Sequence, residues 1–321
     1  MGVKMGEENV KKASRLVVSA VDEGCLDEPG EVGFCRLSAT LAGSRSTPDL
    51  MIGKIMSYRM IIAVINEHTA STVAAHYAMA LAVSCGSQLV LYCAHDELHD
   101  SATSSRTERH LDHLFSEAFA LGIAVSRIAE SGAITRLLPH RSHAEGADLV
   151  FYPLTPGEQY GATLQQQTAH HLLRRIKADL AVMRIMHMGK PHPRHMLVPV
   201  GELILDREQR VRFLAALAQA FHAQMTLFHR PETGKQDLPA DIIALRDDLR
   251  CHPFPLLERG GSGEIARAIA LEAVSHHNDL IVLGASERGT VRRLFFGNPA
   301  GDVMHQPPCN AILFRPALRL P

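Results

Sequence analysis

The residues with chemistry to offer lie close together near the carboxyl end of the chain, between Asn278 and Arg315. Gly284 follows a continuous apolar run, Leu280-Ile281-Val282-Leu283, of the kind carried by a strand buried on both faces. A loop holding Arg288, Arg292 and Arg293 leads to Gly297. Asn298-Pro299 then reads as a helix start, because Asn caps orphan N–H groups and Pro in a first turn has no N–H to lose. Strand, glycine-bearing loop and capped helix make an anion cradle, in which the N–H groups around Asn298 and Ala300 and the positive end of the helix dipole face the loop. The alternative reading is plainer: Gly284 and Gly297 turn the chain, and the arginines are a solvated face.

Other reactive side chains form neither a ligand set nor a nucleophile arrangement. The 19 histidines include the adjacent pairs His170-His171 and His276-His277, which on a helix point in different directions. His187, His192 and His195 sit in or beside a Pro-rich stretch. No HExxH or Cys-His ligand set occurs, so no metal is expected. Ser262 in Gly261-Ser262-Gly263 is not a nucleophile elbow; those residues precede a helix as a capping turn would. The six cysteines, at 25, 35, 85, 93, 251 and 309, lack CxxC spacing and suggest reduced thiols. Complete GxGxxG and Walker loops are also absent. No catalytic residue is identified, and an enzyme is not expected.

The 278–315 segment resembles the universal stress protein family. Nucleotide-binding members carry Gly, two residues, Gly, nine residues, Gly, then Ser or Thr in this place. Gly284 and Gly297 fall on the first and third glycines, Glu287 occupies the second, and Asn298 stands at the hydroxyl position. The Arg-Arg-Leu-aromatic run from Arg292 to Phe296 and Pro308-Cys309 before the last strand also match. The family further has an Asp at the end of its first strand, beside the adenosine. Here Val198-Pro199-Val200 matches that strand and Gly201 stands where the Asp would be; in the first half Ile65 stands there, followed by Asn66. The resemblance thus implies a site at Val200, Gly201, Gly284, Glu287, Gly297, Asn298, Pro299 and Ala300, with ATP or another adenine nucleotide held weakly if at all. Glu287 brings bulk and negative charge where phosphates would lie, and Gly201 removes the adenosine-side carboxylate. In the first half, Gln166 and Gln167 occupy the positions of the last glycine and the hydroxyl, so that half reads as a degenerate, structural copy. The HIGH-type and SGGxDS-type signatures of related adenylating enzymes are missing.

The elements that must position these residues alternate regularly from Met60 onward. Strands are expected at Met60–Ile65, Leu89–Cys93, Ile123–Ile128, from Ala147, and at Leu180–Ile185. Between them lie helices at Thr69–Cys85, with Ser71 or Thr72 as caps, Thr107–Leu121, Ile134–Ala144, which Pro139 should kink or shorten, and Thr168–Ile176. After the Gly- and Pro-bearing linker the pattern repeats, with strands at Met196–Val200, Met225–Phe228, Phe254–Leu257 and the closing pair, and helices at Asp206–His222, Asp237–Leu249 and Glu264–Val274. Leu81-Ala82 and Leu217-Ala218 stand 136 residues apart, and Ala147-Asp148-Leu149 and Asn278-Asp279-Leu280 stand 131 apart, as tandem copies of one domain would. The division expected is an extension at 1–57, a first domain at 58–187, a linker at 188–193, a second domain at 194–316 and a tail at 317–321.

Strands alternating with helices predict an α/β fold with a doubly wound parallel sheet. The resemblance makes this two tandem five-stranded parallel sheets with helices on both faces, Rossmann-like and of the adenine-nucleotide alpha-hydrolase type, pairing through their last strands as a dimer joined in one chain. Both last strands are apolar enough to need cover at an edge. A net charge of −1 argues against a nucleic-acid or membrane surface. No apolar run is long enough to span a bilayer and no signal peptide is read, so a cytoplasmic protein is expected. The function expected is a non-enzymatic stress-response regulatory or binding module, with an internal pseudo-dimer, unidentified protein partners and scope for homodimers. A purely structural interaction protein and a weak ATPase are the alternatives.

Overall fold

The computed structural model describes residues 58–95, 101–154, 168–186, 192–201, 204, 206–230, 238–285 and 299–318. The extension 1–57, most of the linker, Gln166, Gln167, Glu287, Gly297 and Asn298 lie outside them. The first half runs β1 (Met60–Val64), α1 (Thr69–Cys85), β2 (Gln88–His95), α2 (Ser101–Ala120), β3 (Val125–Ser131), α3 (Ile134–Ala144), β4 (Leu149–Leu154), α4 (168–175) and β5 (Asp179–Arg184). The second runs β6 (His195–Val200), α5 (Arg207–Phe221), β7 (Gln224–His229), α6 (Ala240–Arg250), β8 (Leu256–Gly260), α7 (Ile265–Ser275), β9 (Leu280–Gly284), α8 (Pro299–His305) and β10 (Asn310–Arg315).

Each half contributes five strands, and the two sets join through their last strands, as expected. They make one ten-stranded sheet in the order β3-β2-β1-β4-β5-β10-β9-β6-β7-β8. Within each half all pairings are parallel, as helical crossovers require, whereas β5 and β10 meet antiparallel, with Val182 opposite Leu313. The apolar last strand of each half is thereby the other's cover. All six residues of β10 are buried. The free edges fall instead on β3 and β8, where Arg127, Glu130, Glu258 and Arg259 put charge on strands that could otherwise recruit a partner.

Alternation along each strand divides the core between two faces. Ile61, Ala63, Val282 and Phe314 pack with α1, α2, α5 and α6 on one face, while Ile62, Val64, Leu283 and Leu313 pack with α3, α4, α7 and α8 on the other. The first face is continuous across the seam. Tyr77 of α1 meets Phe221 of α5 with ring centroids 4.9 Å apart, and Phe213 of α5 stacks on Phe314 of β10 at 4.0 Å. Beside the seam, fully buried Asp179 accepts hydrogen bonds from the Tyr58 hydroxyl at 2.8 Å, Arg212 Nη2 at 2.5 Å and the Ala317 N–H at 2.6 Å. One carboxylate therefore joins the first half, the second half and the chain's closing segment.

Several local expectations are corrected. Pro139 lies inside α3 without ending it. Ser71 does not cap α1: it sits in the first turn, its hydroxyl accepting from the Asn66 N–H and donating to backbone carbonyls. The cap of α7 is Glu264, whose carboxylate accepts from the N–H groups of Ala266 and Arg267 at 2.9 and 2.8 Å, rather than the Gly261-Ser262-Gly263 turn. α2 begins earlier, at Ser101, and β8 two residues later, at Leu256.

Candidate functional site

In a doubly wound sheet, ligands bind beyond the carboxyl ends of the strands where the order of connection reverses. In the second half that point lies between β6 and β9, and the two strands part there. They pair at Met196–Leu280 and Leu197–Ile281 only, whereas β6 follows β7 along its whole length. Past Leu197 the gap opens into a cavity of about 170 Å³, bounded by Val198, Val200 and Gly201 on one side and by Val282, Leu283 and Gly284 on the other. Three of the residues expected at a ligand site, Val200, Gly201 and Gly284, therefore do meet at one cleft. Pro299 and Ala300 open α8.

The residue that dominates this cleft is one the motif does not point to. Arg210, in the first turn of α5, lines the cavity and donates from Nη2 to the carbonyl oxygen of Ala285 at 3.0 Å. A Cβ placed on Gly284 would overlap Arg210 Nη1. Glycine at 284 thus makes room for a guanidinium, a role different from backbone approach to a phosphate. Burial of Arg210 pulls its pKa below the usual arginine value, with the Asp206 carboxylate acting the other way. It nonetheless stays a cation, because arginine is protonated far above neutrality. Apolar neighbours such as Ile204, Leu214 and Leu245 surround the same space.

Among the described residues, those lining the cleft include no carboxylate that could meet the ribose of an adenine nucleotide. Gly201 is exposed, with nothing within 4 Å of where a Cβ would lie, and supplies no carboxylate for a ribose. The space between the strands is well below the roughly 300–1,000 Å³ usual for a drug-sized ligand, and a guanidinium occupies its Gly284 side.

The first half shows how particular the arrangement is. The left-handed C-cap residues Gly86 of α1 and His222 of α5 stand at the same 136-residue offset as the Leu-Ala pairs, so the counterpart of Arg210 is the buried Ala74. Alignment of β4 with β9 makes Pro153 the counterpart of Gly284. The pairings Ile61–Leu149 and Met196–Leu280 also make Asn66, rather than Ile65, the counterpart of Gly201. Asn66 is engaged in its own turn: its Oδ1 accepts from the His68 N–H at 3.0 Å and its carbonyl lies 3.0 Å from His110 Nδ1. Comparison of the two copies position by position was the signal that could have found Arg210, since arginine replaces alanine at a core position of the repeat.

Reactive groups elsewhere are placed for packing. Cys93 lies 3.4 Å from His95 Nε2, but burial, helped by Glu108 and Glu130, pushes its thiol up to about 12. Burial does the same to Cys309, also to about 12, with Asp279 adding to the effect. Neither is a thiolate nucleophile near neutrality. Among the described residues there is no group of three or more His, Cys, Asp or Glu side chains able to hold a metal ion.

Comparison with known proteins agrees with this architecture. Residues 258–315 match the model of the universal stress protein family. The structure is similar to that of a universal stress protein from Archaeoglobus fulgidus DSM 4304, with a TM-score of 0.63 at 13% identity over 82% of this chain and 98% of that one. It is also similar to a functionally unknown protein from Pseudomonas aeruginosa PAO1, with a TM-score of 0.57 at 17% identity over 82% and 94% of the two chains. The cytoplasmic domain of a prokaryotic cation chloride cotransporter gives a TM-score of 0.53 at 9% identity, over 81% and 96%. At these identities the likenesses establish the fold. No curated protein sequence matches the chain.

Proposed function

We propose that the chain is a tandem member of the universal stress protein family, whose model matches residues 258–315, and that it acts as a non-enzymatic binding module of the stress response, with its ligand cleft in residues 194–316 and its first half serving as a structural copy. The observation that carries this reading is the parting of β6 and β9 at the switch point, with Arg210 set into the gap. Among the described residues the cleft has walls and a charge but no nucleophile or general base, because that lining is otherwise aliphatic and aromatic. Adenine nucleotide binds it weakly, for the reasons of space and missing carboxylate given above. The first half contributes stability through the shared sheet and core. No helix among the described residues is long and apolar enough to cross a membrane, which suits a module acting in the cytoplasm.

Continuity of the sheet across the seam also favours a second reading, a structural interaction protein that uses its surfaces and needs no ligand. Native mass spectrometry of the purified full chain separates the two. The binding-module reading expects a small ligand retained at low occupancy and lost when Arg210 is changed; stoichiometric ATP would contradict it, and a bare chain under all ligand conditions would favour the structural reading.

A further inference from the structure

We propose that the groove between α1 and α2 is a docking surface for residues 50–56 of the same chain, which cover its apolar end and so belong with the first half. His76 Nε2 lies 3.0 Å from Glu117 Oε2, which sets the two helices side by side. Val83 follows His76 by seven residues and Leu121 follows Glu117 by four, with the Leu121 N–H bonded to the Glu117 carbonyl as in a continuing helix. At those spacings each side chain shares the face of the residue that makes the contact, so both point into the groove. Yet Val83 and Leu121 are each more than half exposed.

The occupant follows from where the chain enters. Tyr58 is fully buried, its carbonyl accepts from Ser87 Oγ at 2.8 Å, and the Gln88 N–H donates to the Arg59 carbonyl at 2.8 Å. The segment before Tyr58 is thereby tied to the turn that follows Val83 by four residues. Its last seven residues but one, 50–56, hold five large apolar side chains, Leu50, Met51, Ile52, Ile55 and Met56. Leu121 leads into β3, two strands from β1 and so roughly 10 Å across the sheet, whereas seven residues reach over about 23 Å. The second half supplies the comparison. There the segment leading into β6 does pass the end of the first helix: the His192 ring lies 5.9 Å from that of Phe221, the last residue of α5. Both surfaces are polar in that half. Gly189 to Pro193 carries no large aliphatic side chain, and Gln219 and His252 stand where the first half has Val83 and Leu121, by the 136-residue offset of the helix ends and by the pairings Leu89–Val125 and Met225–Leu256. Groove and lead-in are thus apolar together in one half and polar together in the other, as packing partners would be. The antiparallel seam also brings the amino end of β1 and the carboxyl ends of β6 and β9 to one end of the sheet, so residues 1–49 start from the side on which the cleft opens.

The test is hydrogen exchange of the full chain, read by mass spectrometry. Amides of residues 50–57 should exchange at least about tenfold more slowly than the same sequence does as a free peptide, and Val83→Glu combined with Leu121→Glu should return them to the free rate. On an uncovered groove those two changes, at exposed positions, would move nothing at 50–57. Where the glutamates perturb folding, Val83→Ser with Leu121→Ser removes the apolar contact without adding charge and should speed exchange at 50–57 by about threefold or more. Free-rate exchange at 50–57 in the natural chain, or protection there that survives the groove changes, would overturn the proposal. Protection that fades as the chain is diluted would overturn it as well, by making a second copy the occupant.

Discussion

At the scale of single residues the account turns on Gly284 and Arg210, which fit only as a pair. A methyl group on Gly284 would force the guanidinium out of its place, so Gly284→Ala should destabilise the chain by about 1 to 3 kcal/mol, the usual cost of overpacking. In an Arg210→Ala background the same change should be nearly neutral. Urea denaturation of the two single variants and the double variant measures the coupling directly; an equal loss in both backgrounds would show that Gly284 is needed for some other reason. The glycine itself was visible in the sequence, because it ends an apolar run in a spaced motif. Its partner was not. Arg210 reads locally as an ordinary polar residue near a helix start, and only the three-dimensional meeting of α5 with the end of β9 shows where its side chain goes. The sequence placed Gly284 at the start of an anion cradle, and the fold put a cation of the protein's own beside it.

At the scale of elements, the strands and helices were legible because buried parallel strands are continuous apolar runs and each helix keeps an apolar face. Their ends were less so, since caps are chosen by hydrogen bonds that several neighbouring residues could make. Gly261, Ser262 and Gly263 looked like a cap for α7, yet Glu264 reaches two backbone N–H groups from the N-cap position itself. The repeat offers a sharper case. α1 ends on Gly86 at φ 66°, and α5 ends at the equivalent place on His222 at φ 49°, where a Cβ is strained. His222→Gly should therefore raise stability, by up to about 1 kcal/mol. His222 is exposed, so the substitution removes no buried contact. A loss of stability in chemical denaturation would mean that the imidazole contributes more than its backbone strain costs.

At the scale of the molecule, the tandem repeat foretold two similar halves, and the family resemblance foretold their pairing through the last strands, but not its antiparallel register. Register between distant strands depends on which edge is left uncovered once each half has formed, and no local pattern encodes that. The merged sheet places Asp179 where Tyr58, Arg212 and Ala317 all depend on it. Replacing it with alanine strands a partly buried Arg212 cation and an interior tyrosine hydroxyl. Asp179→Ala should then cost about 3 to 5 kcal/mol, as breaking a buried ion pair does, with both halves lost in one unfolding transition. A loss below about 1 kcal/mol, within the range of exposed ion pairs, would show that the seam is held by the strands and apolar packing alone. The same merging fixes α5 firmly against the sheet, through Phe213 and Phe314, and so holds the helix that carries Arg210 over the cleft.

The central claim is that this cleft is the ligand site and that Arg210 decides what enters it. Calorimetric titration of ATP into the full chain and into the Arg210→Ala variant tests it most directly. The account predicts little heat from the natural chain and tighter binding by the variant, in which the space beside Gly284 is opened. Tight binding by the natural chain, whether unchanged or weakened by the substitution, would contradict it.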